Sequence, residues 1–192
     1  MSLAIKVNDL SMAYADGIEV LRGFTHSFEA GSFTAIVGPS GCGKSSLLRI
    51  LAGLQSPSSG KIETKPYTSI GYVFQEPTLL AWRTVYENVA LPLKIKGLNQ
   101  QLTHTRVVDA LALVGLADRQ HALPRELSGG MKMRVSLARA LAQNPDVLFM
   151  DEPFGALDEL TRLKLDDELL DIWRRQKCTI LFVTHTVSEA TY

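Results

Sequence analysis

The sequence predicts an α/β fold built around a parallel sheet, and three observations support this class. Short apolar runs such as FTAIV and CTILFVTH alternate with amphipathic segments that have apolar residues every three to four positions. Near-continuous apolar strands of this kind are typical of parallel sheets covered on both faces. A glycine-rich loop follows one run and two acidic residues follow another. The 192 residues are enough for one domain, 1–192, with a sizeable core.

The predicted elements change in character along the chain. The first third consists mostly of strands separated by turn signals such as ADG and SPSSG. A helix is expected over about 43–54, after the glycine-rich loop. From about 76 to 145 the pattern becomes helical, with a helix that begins at Ser128 and stops before the NP pair. Strand–helix–strand alternation then resumes, so this helical part is interpreted as an insert in the α/β core.

Composition excludes several classes of function. Lys and Arg number 20 and Asp and Glu also number 20, a balance that argues against a large nucleic-acid-binding surface. The two cysteines make no disulfide framework and are expected to be reduced. The sequence shows no secretory signal pattern and no apolar run of about 20 residues. A role at a membrane would therefore require another chain to span it.

The loop GPSGCGKSS matches the phosphate-binding pattern GxxxxGK[ST] in its expected strand–loop–helix setting. Glycines let backbone N–H groups turn toward phosphate oxygens, and the helix that follows adds its positive end. Lys44 would bridge the β and γ phosphates, and the Ser45 hydroxyl would bind Mg²⁺. The alternative is a glycine-rich turn without a ligand. The candidate phosphate-binding residues are Gly38, Pro39, Ser40, Gly41, Cys42, Gly43, Lys44, Ser45 and Ser46.

Polar residues at the ends of two later strands are the next candidates. Asp151, after the strand VLFM, is expected in the Mg²⁺ shell, and Glu152 is expected to orient and deprotonate the attacking water. Paired acids after a strand are otherwise a common loop start. His185 follows TILFVT, at the edge where α/β sheets bind ligands, and could hydrogen-bond the γ phosphate. Its alternative is an ordinary surface or capping histidine.

The LSGG segment opens the helix that begins at Ser128. Ser128 is a good N-cap, which alone explains the pattern. The functional interpretation is a second anion site, formed by Ser128, Gly129 and Gly130 at the helix N-terminus. The residues therefore suggest two half-sites and leave open how these meet.

Together these motifs resemble the ATP-binding cassette subunit of membrane transporters, over nearly the whole chain. GPSGCGKSS resembles its Walker A, VFQEP its Q-loop, LSGGM its signature, VLFMDEP its Walker B, GALD its D-loop and VTHTVSEA its switch-histidine segment. The resemblance implies a P-loop NTPase core with a mixed, mainly parallel sheet. It also implies an N-terminal antiparallel β subdomain and an inserted α-helical subdomain.

The resemblance further implies that two copies form a head-to-tail homodimer with ATP and Mg²⁺ between them. Ser128, Gly129 and Gly130 of one copy would contact the γ phosphate bound by the other, and Asp158 would contact the opposing chain. Tyr14 would stack on adenine. Gln75 would reach Mg²⁺ and the attacking water.

The segment LLAWRTVYENVALPL and Met131 resemble the bacterial importers of nitrate, sulfonates, taurine and thiamine-precursor-like solutes. In such systems the segment after Gln75 docks a transmembrane permease, which works with a solute-binding protein. Packing within the helical insert is the alternative use of its apolar residues. The implied location is cytoplasmic, peripheral on the cytoplasmic face of the cell membrane.

Two departures from the family pattern leave alternatives open. Thr186 stands where the family commonly has Asp. Members also usually continue for several dozen residues after this point, so the C-terminal part of the usual domain is expected to be absent. The leading hypothesis is an ATPase that powers solute import. The alternatives are a shortened cassette that binds nucleotide without hydrolysing it and a soluble cassette ATPase that acts on DNA or ribosomes.

Overall fold

The computed structural model describes residues 5–15, 17–64, 69–155 and 157–185. Within these ranges the strands are β1 (Ile5–Ala13), β2 (Glu19–Phe28), β3 (Phe33–Val37), β4 (Ser59–Glu63), β5 (Ile70–Val73), β6 (Val147–Asp151) and β7 (Thr179–Thr184). The α-helices are α1 (Lys44–Leu51), α2 (Val85–Ile95), α3 (Gln100–Leu113), α4 (Gly129–Leu141) and α5 (Glu159–Gln176). Short 3₁₀ turns at Ala117–Arg119 and Pro124–Glu126 connect α3 to α4.

The strands form two sheets. β3, β7, β6 and β5 pair in that order, all parallel, while β2, β1 and β4 form an antiparallel sheet. The four-stranded sheet forms the core, and the antiparallel sheet gathers the strands of the N-terminal part. The expected α/β class with a separate antiparallel β part is confirmed.

Alternation along the buried strands gives the core sheet two apolar faces. On one face, Leu148 and Met150 of β6 pack into a core shared with α2, α3, α4 and α5. On the other face, Val147 and Phe149 pack with α1 and the antiparallel sheet. Successive side chains of a strand point to opposite faces. A fully buried β6 therefore holds both layers together and fixes the position of its carboxyl end.

Helices α2, α4 and α5 begin at polar caps. Thr84 caps α2 in a capping box with Glu87, Ser128 caps α4, and Asp158 caps α5. The helical pattern expected from about residue 76 begins later, because residues 76–84 form turns and extended chain ahead of Thr84. The helix expected over 43–54 is shorter, Lys44–Leu51. None of the helices in the described ranges combines the length and apolar character that crossing a bilayer requires.

Candidate active site

The predicted residues of the phosphate loop and of the two later strand ends converge where three parallel strands end. β7 lies between β3 and β6, and parallel strands place their carboxyl ends at one edge of a sheet. The phosphate loop leaves β3 at this edge, Asp151 ends β6, and His185 follows β7. The strand order thus joins residues that are more than 100 positions apart in sequence (151 − 45 = 106).

The phosphate loop turns sharply at Gly43, immediately before α1. Gly43 has a φ of 96°, and a Cβ there would lie 2.3 Å from the Val20 carbonyl oxygen. Only glycine fits such a position. Lys44 is 7% exposed, and its ammonium donates to the carbonyls of Gly38 at 2.8 Å and Pro39 at 2.9 Å. The backbone of the loop thus holds a buried positive charge at its centre.

Ser45 and Asp151 are directly joined. The Ser45 hydroxyl donates to Asp151 Oδ1 at 2.7 Å. The second oxygen of Asp151, Oδ2, lies 3.4 Å from the Tyr72 hydroxyl and 3.8 Å from the Arg49 guanidinium. Burial, reinforced by the Asp151 carboxylate, raises the pKa of Tyr72 above its ordinary value, so its hydroxyl remains a hydrogen-bond donor.

The chemistry of these donors fits Mg²⁺. The ion prefers oxygen ligands and is usually held by one or two carboxylates together with substrate phosphates. Ser45 and Asp151 supply a hydroxyl and a buried carboxylate, and Gln75 lines the same cleft. Within the described residues, no three His, Cys, Asp or Glu side chains form a metal-binding group by themselves. The set therefore suits a cation that arrives with a phosphate ligand.

Glu152 occupies strained backbone beside the phosphate loop. Its φ is 45°, in the left-handed region, and its N–H donates to the Val183 carbonyl at 3.0 Å. Such a conformation costs a non-glycine residue roughly 1–2 kcal/mol. The carboxylate lies 3.7 Å from the Lys44 ammonium and 3.5 Å from His185 Nδ1. An acid held between a lysine and a histidine is well placed to exchange a proton with a bound water.

A cleft of about 320 Å³ opens over these residues, with Lys44, Ser45, Gln75 and Glu152 in its wall. Tyr14 lines it as well and is 40% exposed. The Tyr14 hydroxyl shares a hydrogen bond of 2.8 Å with Ser46 Oγ, which fixes the ring at the rim. Ser40 and Gly41 complete the loop side of the cleft. The exposed Cys42 lies in the same loop.

The LSGG residues lie apart from this cleft. Ser128 and Gly129 are exposed, and Ser128 accepts from the Met131 N–H at 3.3 Å. A Cβ on Gly130 would lie 3.0 Å from the Thr161 side chain of α5, so these two helices meet closely there. Asp158 caps α5 by accepting from the Thr161 N–H at 3.0 Å. The structure thus groups Ser128–Gly130 with the start of α5, and none of these residues lines the cleft over the phosphate loop.

Sequence reasoning missed two side chains of the site, Arg49 and Tyr72. Arg49 is four residues after Ser45 on α1, a spacing that puts both on one face of the helix. That spacing was a usable signal. Tyr72 needed the strand order, because only the pairing of β5 with β6 brings it to Asp151. The predicted departure at Thr186 lies outside the described residues.

A groove of about 280 Å³ lies on another part of the surface, between the core and the helices. Phe74, Leu91, Pro92 and Ile95 provide its apolar wall. The apolar residues of the segment LLAWRTVYENVALPL divide between two environments, since Val89 and Leu93 are fully buried whereas Trp82 is 75% exposed. Part of that segment thus packs within the helical part, and another part is exposed on the surface.

Comparisons with known proteins identify the family. The family model described as "ABC transporter" matches residues 21–155. The chain is 46% identical over 179 residues to the aliphatic sulfonates import ATP-binding protein SsuB of Bacillus subtilis (strain 168), covering 90% of this chain and 69% of that protein. It is 43% identical over 197 residues to the nitrate import ATP-binding protein NrtD of Synechocystis, covering 98% and 74%.

A solved structure agrees with this assignment. The dimeric, post-hydrolysis state of the ATP-binding cassette MJ0796, bound to ADP and Pi, superposes with a TM-score of 0.85 at 31% identity. The alignment covers 97% of this chain and 90% of that one. The matched family, the two import relatives and the cassette superposition confirm the resemblance drawn from the motifs. The chain belongs to the ABC transporter family as an ATP-hydrolysing cassette.

Proposed function

We propose that this chain is the ATPase subunit that powers import of a small solute through a separate membrane permease. One observation carries the proposal: Lys44, Ser45, Asp151, Glu152 and His185 meet at one edge of the core sheet. This arrangement supplies a phosphate cradle, oxygen ligands for a cation and a general base. The two import relatives support the transport role.

The proposed reaction is in-line attack of water on the γ phosphorus of ATP. Glu152 accepts a proton from the water while the water oxygen bonds to the γ phosphorus. The bond between that phosphorus and the β–γ bridging oxygen breaks, which releases ADP and phosphate. Lys44 leaves the loop carbonyls to balance the charge on the phosphates. His185, 3.5 Å from Glu152, orients the carboxylate and donates to the γ phosphate. Gln75, which lines the same cleft, holds the water.

Ser45 and Asp151 would hold Mg²⁺, with Gln75 as a further oxygen donor. When bound, the ion offsets the negative charge of the phosphate oxygens. Asp151 is 3% exposed and already oriented by the Ser45 hydroxyl. The chain therefore holds a carboxylate ready at this position, with no reorganisation of the strand end needed.

We propose that the complete site requires a second copy of the chain, arranged head to tail. Ser128 and Gly129 are exposed at the N-terminus of α4, away from the cleft of their own chain. A helix N-terminus favours an anion, so this end would contact the γ phosphate held by the other copy. Asp158, at the start of the neighbouring α5, would contact the opposing chain. The dimeric state of the related cassette supports this arrangement.

The direct test uses Glu152→Gln, which keeps the shape of the side chain and removes the base. Hydrolysis should fall by about 10²–10⁴-fold, while ATP binding persists and a dimer accumulates. Light scattering after gel filtration with MgATP measures the dimer, and isothermal titration measures binding. Glu29→Gln, at an exposed position after β2, is the matched control and should keep full hydrolysis. Full hydrolysis by Glu152→Gln would contradict the assignment of the base.

The head-to-tail arrangement has its own variant, Ser128→Asp. Aspartate is as good an N-cap as serine, so α4 keeps its start. Its negative charge would face the phosphate of the other copy, and the Glu152→Gln protein should then remain monomeric while it still binds ATP. Dimerisation at the parent level would show that Ser128 lies away from the interface.

The proposed permease contact is the groove lined by Phe74, Leu91, Pro92 and Ile95. Ile95 is 77% exposed and adjoins the other apolar residues of the groove, and a contiguous exposed apolar surface marks a site of contact with another protein. Phe74 of the groove directly precedes Gln75 of the catalytic cleft in the sequence. Docking at the groove would therefore bear directly on that cleft. Such a subunit would be peripheral on the cytoplasmic face of the membrane, where ATP is available. The permease would receive its solute from a solute-binding protein.

A photo-crosslinker in place of Ile95 tests this contact in cells. Its main product should be a membrane protein with several spanning helices, identified by mass spectrometry. The same crosslinker in place of Leu54, which is 57% exposed after α1, serves as the control and should give no such product. Equal products from both positions would argue against a specific docking groove.

A further inference from the structure

The two oxygens of Asp151 have different partners. Oδ1 accepts the hydrogen bond of the Ser45 hydroxyl at 2.7 Å. Oδ2 accepts from the Tyr72 hydroxyl at 3.4 Å and faces an amino group of Arg49 at 3.8 Å. Tyr72 and Arg49 thus contact the side of the carboxylate that is turned away from Ser45.

Three elements fix this arrangement. Asp151 ends β6, Tyr72 lies on the neighbouring strand β5, and Arg49 lies one turn beyond Ser45 on α1. The Tyr72 ring packs against Phe74 and Phe149, with ring centroids 4.4 Å and 6.3 Å away. The ring that carries the hydroxyl is therefore held by packing against two aromatic neighbours.

The contact of Arg49 contributes little to folding. Its side chain is 46% exposed, and ion pairs in contact with solvent contribute little to stability. The same pair can still decide the orientation of the buried carboxylate, because rotation about the Cβ–Cγ bond turns the plane of its two oxygens relative to Ser45. A role in orientation accounts for an arginine and a tyrosine at this place better than a role in stability does.

We propose that Tyr72 and Arg49 are positioning residues that hold the plane of the Asp151 carboxylate in the orientation that keeps one of its oxygens beside Ser45. The inference rests on the proposed role of Asp151 in binding Mg²⁺. Partners that orient metal ligands typically change metal affinity or activity by 10–100-fold when they are replaced. In this role the two residues act on the metal site through Asp151, although Arg49 also lines the cleft.

The experiment compares ATP affinity with Mg²⁺ and with EDTA, in the non-hydrolysing Glu152→Gln background. The dissociation constant in EDTA divided by that with Mg²⁺ isolates the contribution of the metal. Tyr72→Phe, which removes one oxygen, and Arg49→Gln should each lower this ratio by about 10-fold and leave the affinity in EDTA unchanged. Arg49→Lys retains the charge and should restore most of the ratio.

Tyr86→Phe is the matched control, because the Tyr86 hydroxyl also makes a 3.4 Å contact, to His104 in the helical part. It should keep the parental ratio. An equal loss of affinity with and without Mg²⁺ would show that Tyr72 and Arg49 only support the fold of the loop, and an unchanged ratio would show that they do not orient Asp151. Either result overturns the inference. Absence of ATP binding by the Glu152→Gln parent itself would instead contradict the proposed function.

Discussion

Arg139 joins the segment after Gln75 to helix α4, and its replacement is expected to lower the stability of the fold. The guanidinium donates to the carbonyls of Pro77 and Thr78 and to the Thr78 hydroxyl, each at 2.9 Å. It also donates to Ser136 Oγ at 3.3 Å. Burial lowers the pKa of Arg139 below its ordinary value, because desolvation disfavours the charged form of the guanidinium.

The cost of Arg139→Met follows from what each acceptor does afterwards. Methionine keeps most of the apolar stem in place. The two exposed contacts with Thr78 are replaced by water, whereas the half-buried Pro77 carbonyl loses a charged donor, at a cost of about 1–3 kcal/mol. Thr78 has a φ of 46°, and release of that strain opposes part of the loss. The expected net loss of stability is about 1–2 kcal/mol.

Urea unfolding followed by tryptophan fluorescence measures this loss, with Arg125→Met, at an exposed position, as the control. A double-mutant cycle with Thr78→Ala should show coupling, because both changes remove the same side-chain hydrogen bond. The kcat for ATP should fall more than ATP affinity, since the tethered segment adjoins Gln75 and not the phosphate loop. A midpoint within error of the parent, with no coupling, would refute the view that Arg139 anchors this segment.

Gly43→Ala should weaken ATP binding by at least tenfold in a titration, because its Cβ would lie 2.3 Å from a backbone oxygen; parental affinity would contradict the geometry of the loop. Cys42 is exposed, whereas burial raises the pKa of Cys178. A thiol reagent should therefore label Cys42 first and ATP should protect it, so equal labelling rates by mass spectrometry would count against this site. Hydrogen bonds from the Thr84 N–H and hydroxyl lower the pKa of Glu87. The ionised carboxylate therefore stabilises the folded protein above the ordinary glutamate pKa of 4.5, and this contribution is lost as the pH falls below that value. Glu87→Gln should flatten the fall in melting temperature with acid, and an unchanged slope would refute the capping role.

The sequence predicted the parts of the site that depend on one motif and one rule of sheet geometry. The glycine-rich loop identified Lys44 and Ser45, and the buried run before Asp151 identified a strand that ends in acids. Because parallel strands end at a common edge, the contact between Ser45 and Asp151 and that between Glu152 and His185 could be expected. Their roles in catalysis stay predictions.

Other features required long-range information or an overlooked local signal. The order of strands in the core sheet places Tyr72 beside Asp151, and the spacing of apolar residues along the sequence does not reveal that order. The hydrogen bond between Tyr14 and Ser46 likewise depends on how the antiparallel sheet meets α1. The true start of α2 was available in principle, since the TVYE segment has the spacing of a capping box at Thr84.

The conformation of Glu152 connects the buried core to the proposed chemistry. β6 is buried at all five positions, so its end is fixed by packing on both faces. Glu152 then adopts a left-handed backbone that glycine would adopt without strain, and it holds a carboxylate 3.7 Å from Lys44 and 3.5 Å from His185. Strain of this kind persists only where the surroundings over-determine it, and it concentrates at functional sites. A rigid strand can impose this cost, which is why a general base would be placed at the end of a fully buried strand of the sheet and not on a mobile loop.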